Sequence, residues 1–100
     1  MGFEKWGYSF EGAYTDCSLL EALSGVYLIW CNYTGDWTVL DIGEADNIRE
    51  KVCNHERRHE WLKHCPGSVY FSAKYMPDSL PEERRKVERD IRKQANPPLG

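Results

Sequence analysis

Residues 25–33, GVYLIWCNY, are apolar at nearly every position. Val26, Leu28 and Trp30 alternate with Tyr27, Ile29 and Cys31, so a strand here shows an apolar row to each side and belongs in the middle of a sheet. The YTGD segment carries Gly35 as a turn signal, and WTVLDI follows as a second strand. The two make a hairpin that sets Tyr27 and Asp41 on neighbouring strands. A third strand is expected at SVYFSAKYM (68–76), with Val69, Phe71, Ala73 and Tyr75 on one face. Between the second and third strands lies DIGEADNIREKVCNHERR, with a turn at Gly43 and a helix start at Asp46/Asn47. Ile48, Val52, His55, His59 and Leu62 then recur at spacings of three and four, which predicts one continuous helix closed by Cys65-Pro66-Gly67. Ser79-Leu80-Pro81-Glu82 fits a capping box opening a last helix to about Gln94. Its inner stripe is Leu80, Val87, Ile91 and Ala95, with Glu88 at the edge, and Asn96-Pro97-Pro98 stops it. Residues 1–24 have the weakest pattern; Asp16 is expected to cap a short helix, SLLEALS. The architecture predicted is α+β, a small three-stranded antiparallel sheet with two main helices packed on it and a short N-terminal helix.

Composition adds bounds to this picture. With 41% hydrophobic residues in 100, the chain suits one domain with its own core. No apolar run approaches membrane-spanning length, and the start, MGFEKWGYSF, lacks the charged-then-apolar order of a leader. A cytoplasmic protein without membrane association is therefore expected. Cys17, Cys31, Cys53 and Cys65 form no CxxC pair and read as free thiols in that setting. A net charge of −3 argues against a generic nucleic-acid binder. The charge is unevenly spread: one cation faces eight acids in residues 1–48, and twelve cations face eight acids in residues 49–100. That asymmetry is compatible with a basic face, although ordinary solvated helix surface accounts for it as well.

Candidate chemistry concentrates on the basic helix. Two imidazoles lie in its apolar stripe, with Lys51 and Arg58 along one flank. A buried imidazole without hydrogen bonds costs about 1–3 kcal/mol, so each is either a satisfied core histidine or a working group. Cys53, His55, His59, His64 and Cys65 crowd one segment, as zinc ligands would. On a helix, however, Cys53 points about 160° away from His55, and His55 with His59 lacks a further ligand pair, so structural zinc is not expected.

Gly25-Val26-Tyr27, then Ile42-Gly43, then GEADNIREKVCNH, then ERDIRKQANPPL with Pro97 nine residues after Glu88, stand in an order that resembles the GIY-YIG nuclease domain. The resemblance covers residues 25–100 and leaves residues 1–24 as an extension. It implies an endonuclease that hydrolyses DNA phosphodiester bonds with Mg²⁺ or Mn²⁺. Glu88 would hold the metal, Tyr27 would take a proton from the attacking water, Lys51 would stabilise charge on the phosphate, and His55 would contact the phosphate or shuttle a proton. Gly43, Arg49, Arg58 and Asp41 are secondary candidates. Three positions depart from the family pattern: Asp41 replaces the tyrosine of the second motif, Lys51 replaces the helix arginine, and Gly100 stands where an asparagine often follows the prolines. Lysine supplies a point charge where arginine supplies a fork. Arg49 lies about 200° around a helix from Lys51 and does not substitute for it. Asp41 is either a second metal carboxylate or the loss of the tyrosine's role. The alternative function is a catalytically degenerate module on the same fold that binds nucleic acid or a protein partner without cutting. A homodimer or a partner would have to supply any strong sequence preference. Without the resemblance, Tyr27 is an ordinary strand tyrosine and Glu88 an i,i+4 partner of Arg84 or Arg92.

Overall fold

The structure, a computed structural model, describes residues 2–100. Its elements in chain order are β1 (Gly2–Lys5), β2 (Tyr8–Tyr14), a 3-10 turn (Cys17–Leu19), β3 (Gly25–Tyr33), β4 (Asp36–Ala45), α1 (Ile48–Cys53), α2 (Arg58–His64), β5 (Ser68–Tyr75) and α3 (Pro81–Ala95). All five strands join one antiparallel sheet in the order β1-β2-β5-β3-β4. The expected three-stranded sheet with two main helices is thereby corrected to five strands and three helices. Strands β5, β3 and β4 are the three foreseen, and residues 2–14 add a hairpin on the outer side of β5. Trp6 and Gly7, both at positive φ, form its two-residue turn, the backbone that a tight antiparallel hairpin requires. Tryptophan is not a turn-forming residue by habit, and four residues of β1 are too few to show a period.

The short helix expected at SLLEALS is also corrected. Asp16 does cap this segment, accepting the Ser18 N–H at 2.9 Å, but only the 3-10 turn follows. Leu20 is buried while Leu19 and Leu23 are exposed. The basic helix, too, is broken, into α1 and α2. Asn54 closes α1 by donating its side-chain amide to the Glu50 carbonyl at 3.0 Å. The His55 ring then accepts the Arg57 N–H at 3.0 Å, a local side-chain bond that competes with helix continuation. The five-residue face therefore comes apart. Ile48, Val52 and His55 are buried, His59 and Leu62 are exposed, and α2 buries Trp61 instead.

Strand β3 is buried from Gly25 to Cys31, as its two apolar rows require. Tyr27, Ile29 and Cys31 pack with Leu40, Ile48, Val52 and Trp61 beneath α1 and α2. Val26, Leu28 and Trp30 pack with Phe10, Ile42 and Ile91 beneath α3. The β3–β4 register slips by one residue between Ile29 and Trp30. On the outer side of β4 the segment after α3 folds back: the Leu99 N–H donates to the Leu40 carbonyl at 3.1 Å, and Arg92 donates to the Ile42 carbonyl.

The cysteines are not free thiols. Cys17 bonds to Cys53 and Cys31 to Cys65, each pair with Cα atoms 5.5 Å apart. The partners stand 36 and 34 residues apart, which is why spacing along the chain does not show them. One cross-link ties the end of α1 to the 3-10 turn, the other ties the residue after α2 to β3. Closing loops of this length stabilises the fold by about 4 kcal/mol each in the chain-entropy picture. Among the described residues no helix is long and apolar enough to cross a membrane.

Candidate active site

The site is organised from below by a buried carboxylate. Asp41 stands opposite Ile29 in the β3–β4 ladder and is fully buried. It accepts from Arg57 Nε at 2.8 Å and Nη2 at 3.3 Å, from Trp61 Nε1 at 2.8 Å, from the Ile42 N–H at 2.9 Å, and from Arg92 Nη2 at 3.3 Å. Burial alone would raise its pKa; the hydrogen bonds from Arg57 and Trp61 and the Arg57 charge outweigh burial and hold it below the usual carboxylate range. Asp41 thus fixes two arginines that arrive from opposite sides of the sheet, Arg57 from the α1–α2 loop and Arg92 from α3.

Above this carboxylate, along the edge of β4, lies an open hollow of about 340 Å³. Tyr27, Gly43, Lys51, His55 and Glu88 line it, together with Arg57, Arg92, Glu44 and Glu56. Tyr27 and Gly43 are direct cross-strand partners. The phenol ring lies over the glycine, and a Cβ there would fall on the Tyr27 hydroxyl and its ring carbon. Gly43 is needed for close approach, because only a missing side chain lets the ring cross β4 into the hollow.

Tyr27 and His55 are hydrogen-bonded, Oη to Nε2 at 2.8 Å. The direction of this bond follows from the other side of the ring. Nδ1 accepts the Arg57 backbone N–H, so it carries no proton, and the neutral imidazole bears its hydrogen on Nε2. Nε2–H therefore donates to the Tyr27 oxygen and leaves the phenol's own proton directed elsewhere. Burial, then the Asp41 charge, push the Tyr27 pKa up, against the opposing charges of Arg57 and Arg92. Burial, then the Arg57 charge, push the His55 pKa down. A group whose folded pKa is depressed contributes stability that is complete above its unfolded value and is lost as pH falls through the folded one. Stability is accordingly expected to drop as pH falls below about 6.5, the ordinary imidazole value. His55→Gln should lose less over that window in urea unfolding, whereas identical slopes in the two proteins would refute a buried neutral His55.

Glu88 Oε2 accepts from Arg92 Nε at 3.0 Å, an i,i+4 pair, and Glu88 also lines the hollow. Lys51 takes part in no ion pair among the described residues. Arg49 and Arg58 do not line the hollow; Arg58 instead donates to the Cys53 carbonyl. Asp41 does not line it either. Arg57 and Arg92 are the functional candidates that the pattern left out. One straight helix, as the periodicity predicts, hides Arg57, while Arg92, four residues after Glu88, reads along the chain only as a charge partner. Among the described residues no three His, Cys, Asp or Glu side chains form a metal cage. Mg²⁺ needs none, since it is commonly held by one or two carboxylates with waters and substrate phosphate oxygens. Glu88 fits that donor set through the oxygen that Arg92 does not hold; Glu44, which also lines the hollow, lies 3.6 Å from Arg84 Nε.

The chain matches no protein-family profile and no curated protein by sequence. The likeness to GIY-YIG nucleases therefore rests on motif order alone.

Proposed function

We propose that this chain is a divalent-metal-dependent endonuclease of the GIY-YIG kind, hydrolysing DNA phosphodiester bonds. One observation carries the reading: Tyr27, Lys51, His55 and Glu88, from β3, α1, the α1–α2 loop and α3, open onto one hollow. Such hydrolysis needs an oriented water, positive charge at the phosphate and a way to move a proton. A cation held by Glu88 would supply Lewis acidity and acidify its water. Lys51 and Arg57, which both line the hollow, would supply positive charge to the phosphate. Arg57 turns its Nε–Nη2 fork to Asp41, and Arg92 commits its nitrogens to Glu88, Asp41 and the carbonyls of Ile42, Leu99 and Gly100, so only Nη1 of Arg57 is left to stand in for the missing arginine at position 51. As the phenolate, Tyr27 would take the proton of the attacking water, and His55 Nε2–H would steady its negative charge until then.

A second reading, a binding module that does not cut, is favoured by two observations. Asp41 engages both arginines, and burial raises the pKa of the phenol. A cleavage assay with Mg²⁺ or Mn²⁺ on duplex, branched and single-stranded DNA separates the two. Cutting by the native chain that disappears in Glu88→Ala supports the nuclease. Salt-sensitive binding with no cutting of any form under either metal supports the module. For the compartment, two cystines favour oxidising surroundings over the expected cytoplasm.

A further inference from the structure

The α3 side of the sheet carries a second surface that the hollow does not use. Trp6 stacks on Trp30 with ring centroids 5.9 Å apart and planes 10° from parallel. Trp37 meets Trp30 edge-on at 6.1 Å and lies 4.7 Å from Tyr70. Phe3, Trp30 and Trp37 wall a cleft of about 310 Å³ whose one charged lining residue, among those described, is Lys5. The Lys5 ammonium lies 5.2 Å from the Trp6 ring centroid and 5.7 Å from that of Trp30. Trp37 stays 46% exposed, a large aromatic left half in water at the cleft wall.

The cleft adjoins a basic stripe. Across the β1–β2 ladder Lys5 pairs with Tyr8, and Tyr8 walls a hollow of about 400 Å³ with Lys86, Arg89 and Lys93. These three stand at i, i+3 and i+7 on α3, so they form one row. The Tyr8 hydroxyl donates to Asp90 at 2.6 Å, which docks the hairpin against the helix. By strand alternation Glu4 and Glu11 point to the opposite side of the sheet and do not oppose this charge.

Trp30 is buried with one face under Trp6 and forms the floor of the cleft, so the half-exposed Trp37 ring is the face left for a base. With Lys5 at the mouth and a row of cations beyond, it can take a stacked base and the neighbouring phosphates together. Duplex bases are stacked on one another and offer no free face, so the fitting ligand is an unpaired strand. We infer that the chain binds a single-stranded nucleic-acid segment across the Trp30–Trp37–Lys5 cleft and the Lys86–Arg89–Lys93 row. This rests on the proposed action on nucleic acid and narrows the substrate to DNA with an unpaired or flapped segment.

The test is anisotropy of labelled oligothymidine with the full chain in EDTA, where no metal-dependent cutting intervenes. Saturable binding with quenched tryptophan emission is expected. Trp37→Ala should weaken it about tenfold or more. Lys5→Gln, which leaves the rings in place, should weaken it several-fold. Changing Lys86, Arg89 and Lys93 together to Gln should flatten the log–log salt slope by about two. Leu62→Ser, an exposed apolar position on α2 across the sheet, is the control and should keep native affinity. Native affinity in Trp37→Ala, or tighter binding to blunt duplex than to oligothymidine, overturns the inference. If Trp37→Ala loses the strand although the native chain cuts nothing, the nuclease reading falls and this one stands. If cutting persists without oligothymidine binding, the reverse holds.

Discussion

Asp41→Ala is expected to be among the most disruptive single substitutions in the chain, lowering stability by about 3–5 kcal/mol in urea unfolding. The carboxylate is fully buried and accepts from two guanidinium groups and an indole. Removing it leaves a buried Trp61 N–H without an acceptor and Arg57 without its counter-charge, while Arg92 keeps Glu88. The two arginine side chains remain 32% and 24% exposed, so water relieves part of the loss and the lower end of the range is the better estimate. Asp41→Tyr, which would place the tyrosine of the GIY-YIG second motif at this position, should not rescue the fold. A phenol in a space shaped for a carboxylate adds overpacking, about 1–3 kcal/mol, to the unpaired charge. A stable Asp41→Tyr protein would show that the carboxylate is dispensable and that the space tolerates a phenol. The acid limb provides an independent check. Because the folded pKa of Asp41 is depressed, its contribution is present above the unfolded value of about 3.9 and is lost as pH falls through the folded one.

Tyr27→Phe should cost about 10²–10⁴-fold in kcat for DNA cleavage while changing KM little. The ring keeps its place over Gly43 and its packing in the core, so only the oxygen is lost. Stability should fall modestly, since the His55 Nε2–H loses its acceptor at a site bordering an open hollow. A kcat drop with an intact fold separates a reacting oxygen from a packing residue. Cutting at the native rate by Tyr27→Phe would remove the phenol from the chemistry and leave Glu88, Lys51 and the arginines to be explained without it.

What could be read along the chain was whatever a strong local pattern carries. The double apolar row of β3, the Thr34-Gly35 turn, β5 and the Val87, Ile91 and Ala95 stripe of α3 lie where alternation and helical spacing put them. Leu80, by contrast, is exposed and takes the cap position expected of Ser79, with Glu83 in place of Glu82 reaching back. The meeting of Tyr27, Lys51, His55 and Glu88 in one hollow also followed from motif order. Features that leave no periodic signature along the chain were not legible. The 2–14 hairpin depends on a turn through Trp6, a residue without turn preference. Pairing of Cys17 with Cys53 and of Cys31 with Cys65 depends on the folded positions of α1 and α2. The break at His55 comes from one ring nitrogen capturing one backbone N–H, which no periodicity reports. That break matters for the site. It turns Arg57 inward to Asp41, whereas a continuous helix would have kept His59 and Leu62 in the stripe and Arg57 out of view.

The contacts of Leu99 and Arg92 on the outer side of β4 have a consequence for self-association. Strand β4 ends the sheet, and a bare terminal strand is a template on which another copy can pair. The carbonyls of Leu40 and Ile42 are already engaged by the chain's own Leu99 amide and Arg92 side chain. A neighbouring polypeptide cannot extend the sheet there without first peeling those residues away, so the same guanidinium that stands beside the reactive hollow also guards the rim against fibril-like growth.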